Sequence, residues 1–235
     1  TTVRNPERLR EFLRVLKKLE GKDFAKNTQI EYQVLLIKER LYRPNYIPQE
    51  YIHYYEKPEL KIPYEVAEKI FWAQEYEDPS MRGRQSVNPL NKLGFSIARE
   101  GFGGIKITEL GNLFLSGEYD IGFVFFKSLL KLQFPNPWSK DFSARDGFNI
   151  MPFVATLRLI YILNQKMGQR GLSKTEFCLF VPTLINASDI EKYVDLILDF
   201  RRRDKNGKEE IIVQFLKEFY GIEELPIKKI NNLWD

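Results

Sequence analysis

Within ten positions the chain carries Arg82, Arg84, Gln85, Ser86, Asn88 and Asn91. These side-chain types read base edges. A guanidinium grips guanine O6 and N7, a carboxamide pairs with adenine N6 and N7, and a hydroxyl bonds to either. Asn88 followed by Pro89 is the pattern of a cap and first helical residue, predicting a short helix that ends at Gly94. Arg82, Arg84, Gln85, Ser86 and Asn88 then fall in a turn and on a helix N-terminus, the end that enters a major groove. A plainer reading stays open, in which Asn88 only caps and the arginines only touch phosphates.

The residues that follow form the second half of a reading unit. Phe95 and Ile97, then Ile105 and Ile107, alternate around Gly101-Phe102-Gly103-Gly104, which predicts two short strands joined by a tight turn. With Ile107-Thr108-Glu109-Leu110-Gly111 opening a closing helix, this is the order of a winged helix-turn-helix. Lys92, Arg99 and Lys106 are placed for phosphate, with Lys127, Lys131 and Lys174 further along. No Gly-Lys-Ser/Thr follows the glycines, which argues against a nucleotide-binding loop.

A chain of 235 residues with 43% hydrophobic and 14% aromatic content can bury one large core or two modest ones. No stretch approaches a membrane span, and no apolar run follows the charged N-terminus, so a soluble, non-exported, cytoplasmic protein is expected. Cys178 is the only cysteine and His53 the only histidine. Disulfides, cysteine-clustered zinc and His-based hydrolase triads therefore lack their parts. The net charge of +4 is unevenly spread: Pro79 to Lys174 holds thirteen Lys/Arg against six Asp/Glu, a net of +7, leaving the remainder at −3. A local excess of that kind suits a phosphate-binding face, although a well-solvated surface would also show it. The chain begins at Thr1 without a methionine, which suggests a piece of a longer protein.

Apolar periodicity supplies the scaffold. Asn5-Pro6 caps and opens a helix carrying Leu9, Phe12, Leu13, Leu16 and Leu19 up to Gly21; a second runs from Thr28 to Tyr42. Pro44, Pro48, Pro58 and Pro63 then break a connector bearing Tyr46, Tyr51, Tyr54 and Tyr55, whose expected use is packing rather than stacking on bases. A helix from Tyr64 to Tyr76 would lie under the reading unit. Beyond it, Phe123 to Phe134, Phe153 to Leu163, a helix capped by Ser173 with Glu176 at capping-box spacing, and Asp189 to Arg203 suggest a second helix-turn-helix, followed by a helix over Ile211 to Tyr220. Cys178 falls on an apolar face and is expected in the core, and Arg201, Arg202 and Arg203 suit a helix C-terminus. The expected fold is mainly α with short β-hairpins: two winged-helix or helix-turn-helix-like subdomains preceded by an N-terminal helical segment. Residues 1–121 would hold the first subdomain and 122–235 the second.

Several runs resemble one family in order along nearly the whole chain. Thr2-Val3-Arg4-Asn5-Pro6-Glu7-Arg8, Leu93-Gly94-Phe95, the hairpin, Ile107 to Gly111, Leu132-Gln133-Phe134-Pro135, Gly171-Leu172-Ser173-Lys174 and Asp199-Phe200-Arg201 are similar to the recognition half of AlwI-type restriction endonucleases. The resemblance implies a type IIS enzyme, in some members a nicking one, that binds a short asymmetric duplex site and cuts a few bases away. It also implies a separate C-terminal nuclease domain with a PD-(D/E)xK carboxylate cluster and Mg²⁺. This sequence stops at Asp235, before that domain, so no catalytic residue, metal ligand or cofactor is expected within it. Pro58-Glu59-Leu60-Lys61 alone has a superficially suitable pattern, and it lacks the preceding strand aspartate. The expected partner is double-stranded DNA, bound by a monomeric fragment; a winged-helix transcriptional regulator is the alternative.

Overall fold

The computed structural model describes residues 5–221 apart from 119, 140 and 169. Eleven α-helices and one small antiparallel sheet are found among these residues, in two compact units, 1–129 and 130–235. None of the described helices is long and apolar enough to cross a membrane. The opening stretch Thr1 to Arg4 and the segment after Gly221 lie outside the described residues.

In the first unit α1 (Pro6–Lys17) begins as its sequence dictates: the Asn5 side chain accepts from the Glu7 N–H at 2.9 Å, and Pro6 supplies the preset first turn. It is followed by α2 (Lys26–Lys38), the short α3 (Ile52–Glu56), α4 (Tyr64–Trp72) and α5 (Met81–Lys92). Next come strands β1 (Ser96–Ile97) and β2 (Lys106–Ile107), then α6 (Glu109–Ser116) and α7 (Ile121–Lys131). α2 is the central helix, buried along Tyr32 to Ile37 between two apolar clusters. One cluster joins it to α1, α5 and the hairpin; the other joins it to α4 and the tyrosine connector, where Tyr51, Tyr54 and Tyr55 pack and Tyr46 stays exposed. α2 ends four residues before the expected Tyr42 because Arg40 adopts φ 59, where its guanidinium donates to the Leu60 carbonyl. α7 packs Ile121, Phe125 and Leu129 onto the first cluster.

The largest departure from expectation concerns Asn88 and Pro89. They do not open a helix; α5 starts at Met81 and runs through Pro89 to Lys92. Its start is built by Asp78, whose carboxylate accepts from the backbone N–H groups of Ser80 and Met81 at 3.0 and 3.2 Å. A proline inside a helix costs about 3 kcal/mol through the lost donor and the clash with the preceding turn. Full burial of Val87 and Leu90 on either side of it offsets that cost, at about 1.5–3 kcal/mol for each large side chain.

α5 also lies unusually close to α2. A Cβ on Gly83 would sit 2.1 Å from the Gln29 carbonyl oxygen, so no larger residue fits without parting the two helices. Gly83→Ala is therefore expected to destabilise the fold by at least about 1–3 kcal/mol, despite alanine's better helix propensity. A urea titration showing equal or greater stability for the variant would contradict this packing.

The second unit is built from α8 (Pro152–Met167), α9 (Lys174–Phe180), α10 (Ile190–Arg202) and α11 (Lys205–Tyr220). Its core joins Leu159 and Leu163 to Phe180, Val194, Ile197, Phe200 and Phe215. Phe180 meets Phe200 and Phe215 edge-on, with centroids 5.5 and 5.1 Å away. The capping box at α9 forms as its spacing predicts: Ser173 Oγ accepts from the Glu176 N–H, and Glu176 Oε2 accepts from the Ser173 N–H at 2.8 Å. Cys178 is half-buried at the edge of this core rather than inside it.

Candidate nucleic-acid interface

Because α5 is one helix, its polar residues sort by face. Met81, Gln85, Asn88 and Lys92 recur at helical spacing on the side away from α2; the first three are exposed and Lys92 is half-exposed. Gly83, Val87, Leu90 and Asn91 face inward. Of the expected base-reading residues, Gln85 and Asn88 therefore share an outward stripe with Lys92. Ser86 is half-buried on one flank. Arg82 lies half-buried with its guanidinium 5.5 Å from the centre of the Tyr76 ring.

Two expected readers have work within the fold. Arg84 bonds to Asp78 Oδ2 at 2.6 Å, Ser80 Oγ at 2.6 Å and Gln29 Oε1 at 3.1 Å. The Ser80 hydroxyl and the Arg84 guanidinium hold the Asp78 carboxyl down to about 2, so it stays ionised as the start of α5 through the physiological range. Asn91 is 5% exposed: its Nδ2 donates to the Ala98 carbonyl at 2.9 Å, and its Oδ1 accepts from Ser96 Oγ and the Ala98 N–H at 2.8 and 3.2 Å. Its amide thus faces the hairpin it organises and not the solvent, which corrects its expected place among the base readers.

The hairpin pairs Ser96 with Ile107 and Ile97 with Lys106. Ala98, Ile105 and Ile107 are buried at its base, while Lys106 is exposed. Arg99 places its guanidinium 5.0 Å from the ring of Phe102 at the tip. Thr108 then caps α6, accepting from the Gly111 N–H at 3.0 Å and donating to the Gly94 carbonyl at 2.7 Å. Helix, hairpin and next helix are thereby tied at one point. Among the other expected phosphate contacts, Lys127 is exposed on α7 with its amine 5.9 Å from the Phe123 ring, and Lys131 is exposed at the end of that helix. Lys174 opens α9 and belongs to the second unit.

A family model described as AlwI restriction endonuclease matches residues 91–233, more than half of the chain. The chain belongs to that family. Membership makes it a restriction-enzyme chain with DNA as its partner. The matched span opens at Asn91, so it takes in the hairpin and all that follows, whereas the outward stripe of α5 lies mostly before it. No curated protein matches the chain.

The sequence reading missed two features of this restriction-enzyme chain. Asp78 was not singled out, although an Asp two residues before a helix start is a recognisable signal. The second unit also holds an open cleft of about 630 Å³, where Arg170, Lys205 and Lys208 stand around the Phe200 ring. Lys208 has its amine 5.7 Å from that ring. Pro58 to Lys61 form an exposed turn whose carbonyl groups serve Arg40. Among the described residues, no three His, Cys, Asp or Glu side chains converge to hold a metal ion, so these residues do not fit the Mg²⁺ that endonuclease chemistry implies.

Proposed function

We propose that this chain is the DNA-recognition region of a type IIS restriction endonuclease, that it binds a short asymmetric duplex site, and that cleavage belongs to a nuclease domain outside it. The observation that carries this reading is the outward stripe of Gln85, Asn88 and Lys92 on a helix followed at once by a rooted hairpin, in a restriction endonuclease family member. The α5, hairpin and α6 order supports a winged-helix reading of the first unit, with α5 in the major groove and the hairpin as wing. Gln85 and Asn88 are the residues placed to pair with bases, and Arg82 flanks them. Lys92, Arg99, Lys106, Lys127, Lys131 and Lys174 serve phosphates and set the salt dependence. The second unit, with its capped α9 and long α10, supports a second helix-turn-helix-like reader. Two non-identical readers on one monomer fit a non-palindromic site and a strand-selective or offset cut in a prokaryotic cytoplasm.

Selection of bound duplexes from a random pool tests this. A single asymmetric site of about five base pairs is expected, bound with a log–log salt slope of about −0.9 per neutralised phosphate. Binding should be the same with Mg²⁺ or with chelator, and the bound site should remain uncut. A palindromic consensus would favour a dimeric transcriptional regulator instead. Nicks at a fixed offset that vanish in Glu59→Ala/Lys61→Ala would place the nuclease in this chain.

A further inference from the structure

The tip of the hairpin holds a large side chain that the fold does not bury. Phe102 is 62% exposed, whereas Phe95, Phe12, Phe71 and Phe114 are buried almost completely. Leaving a phenylalanine in water forgoes about 1.5–3 kcal/mol that burial would supply. It stands between Gly101 at φ 76 and Gly103 at φ 84, two left-handed positions that let the chain turn tightly around it. The Arg99 guanidinium lies 5.0 Å from its ring, and the Phe102 N–H donates to the Arg99 carbonyl at 3.2 Å.

This tip is mounted on a rigid base. The segment after α1 lies along the outer edge of the hairpin as a third, irregular strand: the Gly21 N–H donates to the Ile105 carbonyl and the Ile105 N–H to the Lys22 carbonyl, both at 2.8 Å. Asp23 bridges to Gly104, and Glu20 Oε1 accepts from the Ile107 N–H at 2.8 Å. A Cβ on Gly104 would lie 2.3 Å from the Gly21 carbonyl oxygen, so only glycine lets the two segments close. The hairpin is thus braced on both edges, and its aromatic tip projects from a fixed support.

We propose that Phe102 is a wedge, inserted between neighbouring base pairs at the border of the bound site with the Arg99 guanidinium beside it on the phosphate backbone. The proposal rests on the reading of α5 as the DNA-reading helix. An apolar ring driven into a base step from the groove partly unstacks it and kinks the duplex, and the ring recovers there the burial it lacks in the free protein. A guanidinium next to it answers the charge of the strand the ring approaches. Such a wedge adds discrimination without hydrogen bonds, because pyrimidine–purine steps open at lower cost than others.

The test uses the full chain and its selected duplex, with 2-aminopurine placed singly along the site. Fluorescence is expected to rise on binding at one step only. Phe102→Ala should abolish that rise and weaken binding to the site about tenfold, while thermal unfolding stays unchanged because the ring packs into no core. Phe102→Trp should keep the rise. Binding with no rise at any position, or a rise that survives in Phe102→Ala, overturns the wedge and leaves the DNA-reading assignment standing. If the chain does not bind duplex DNA in the same titration, both fail.

Discussion

Arg201→Ala is expected to lower the stability of the chain by about 3–5 kcal/mol, a large part of the roughly 5–15 kcal/mol that holds a typical domain folded. The guanidinium meets Glu176 through Nε to Oε1 at 2.7 Å and Nη2 to Oε2 at 2.9 Å, and it reaches the Gly171 carbonyl as well. The two side chains are 13% and 5% exposed, so removing one leaves the other as a buried charge without its partner. Glu176 also completes the capping box of α9, and its loss should unseat the start of that helix. Glu176→Ala should cost a similar amount, and the double alanine variant less than the sum of the two. Arg201→Met combined with Glu176→Leu should come close to the parent, since a well-packed apolar pair often replaces a buried ion pair at little cost. Burial opposes ionisation of Glu176, but the hydrogen bonds from Arg201 and the Ser173 N–H outweigh it and hold the carboxyl below the usual range. A depressed value in the folded state means that the pair's contribution is complete above the ordinary carboxylate range and is lost as pH falls through the folded value. Urea midpoints measured from neutral to acid pH should therefore fall more steeply for the parent than for the Met/Leu variant. Parallel curves, or an Arg201→Ala cost below about 1 kcal/mol, the range of an exposed pair, would sink this account.

What the sequence made legible was local. The Asn5 cap, the Ser173 and Glu176 capping box, and the apolar stripes of α1 and α10 each depend on residues within a turn or two, and all form as their spacing predicts. The hairpin was legible too, from its alternation and its glycines. The start of α5 was not, because Asn88-Pro89 is a strong local signal that buried Val87 and Leu90 override through contacts with residues far away in the chain. Arg84 looked like a reader for the same reason. Its partner Asp78 is near in sequence, but Gln29 is 55 residues away, and only the close approach of α2 at Gly83 brings it within reach. Asn91 and Arg201 repeat the lesson: a polar residue with a polar partner outside its own helix turn reads as an exposed, functional side chain until the fold brings that partner to it.

These corrections sharpen what the interface should do when altered. Gln85→Ala and Asn88→Ala should each remove discrimination at one base pair, at about 1–3 kcal/mol against the preferred base, because each takes away a carboxamide that pairs with a base edge from the outward stripe of α5. Neither should change the thermal unfolding temperature, since both side chains are exposed. Lys106→Ala, Lys127→Ala and Lys131→Ala should instead weaken all duplexes alike and flatten the salt slope by about one ion each. Asn91→Ala belongs to neither group. It would strand the Ser96 hydroxyl and both backbone groups of Ala98 in a buried site, at about 1–3 kcal/mol for each unsatisfied group, and so loosen the hairpin that carries Lys106 and Phe102. Its signature is therefore a loss of stability together with a loss of affinity for every sequence. The three signatures can be separated by pairing a thermal melt with binding titrations against the selected site, single-base variants of it and unrelated duplex. If Gln85→Ala and Asn88→Ala lower specific and non-specific affinity by one common factor, α5 does not read bases, and the reading surface must be sought in the second unit.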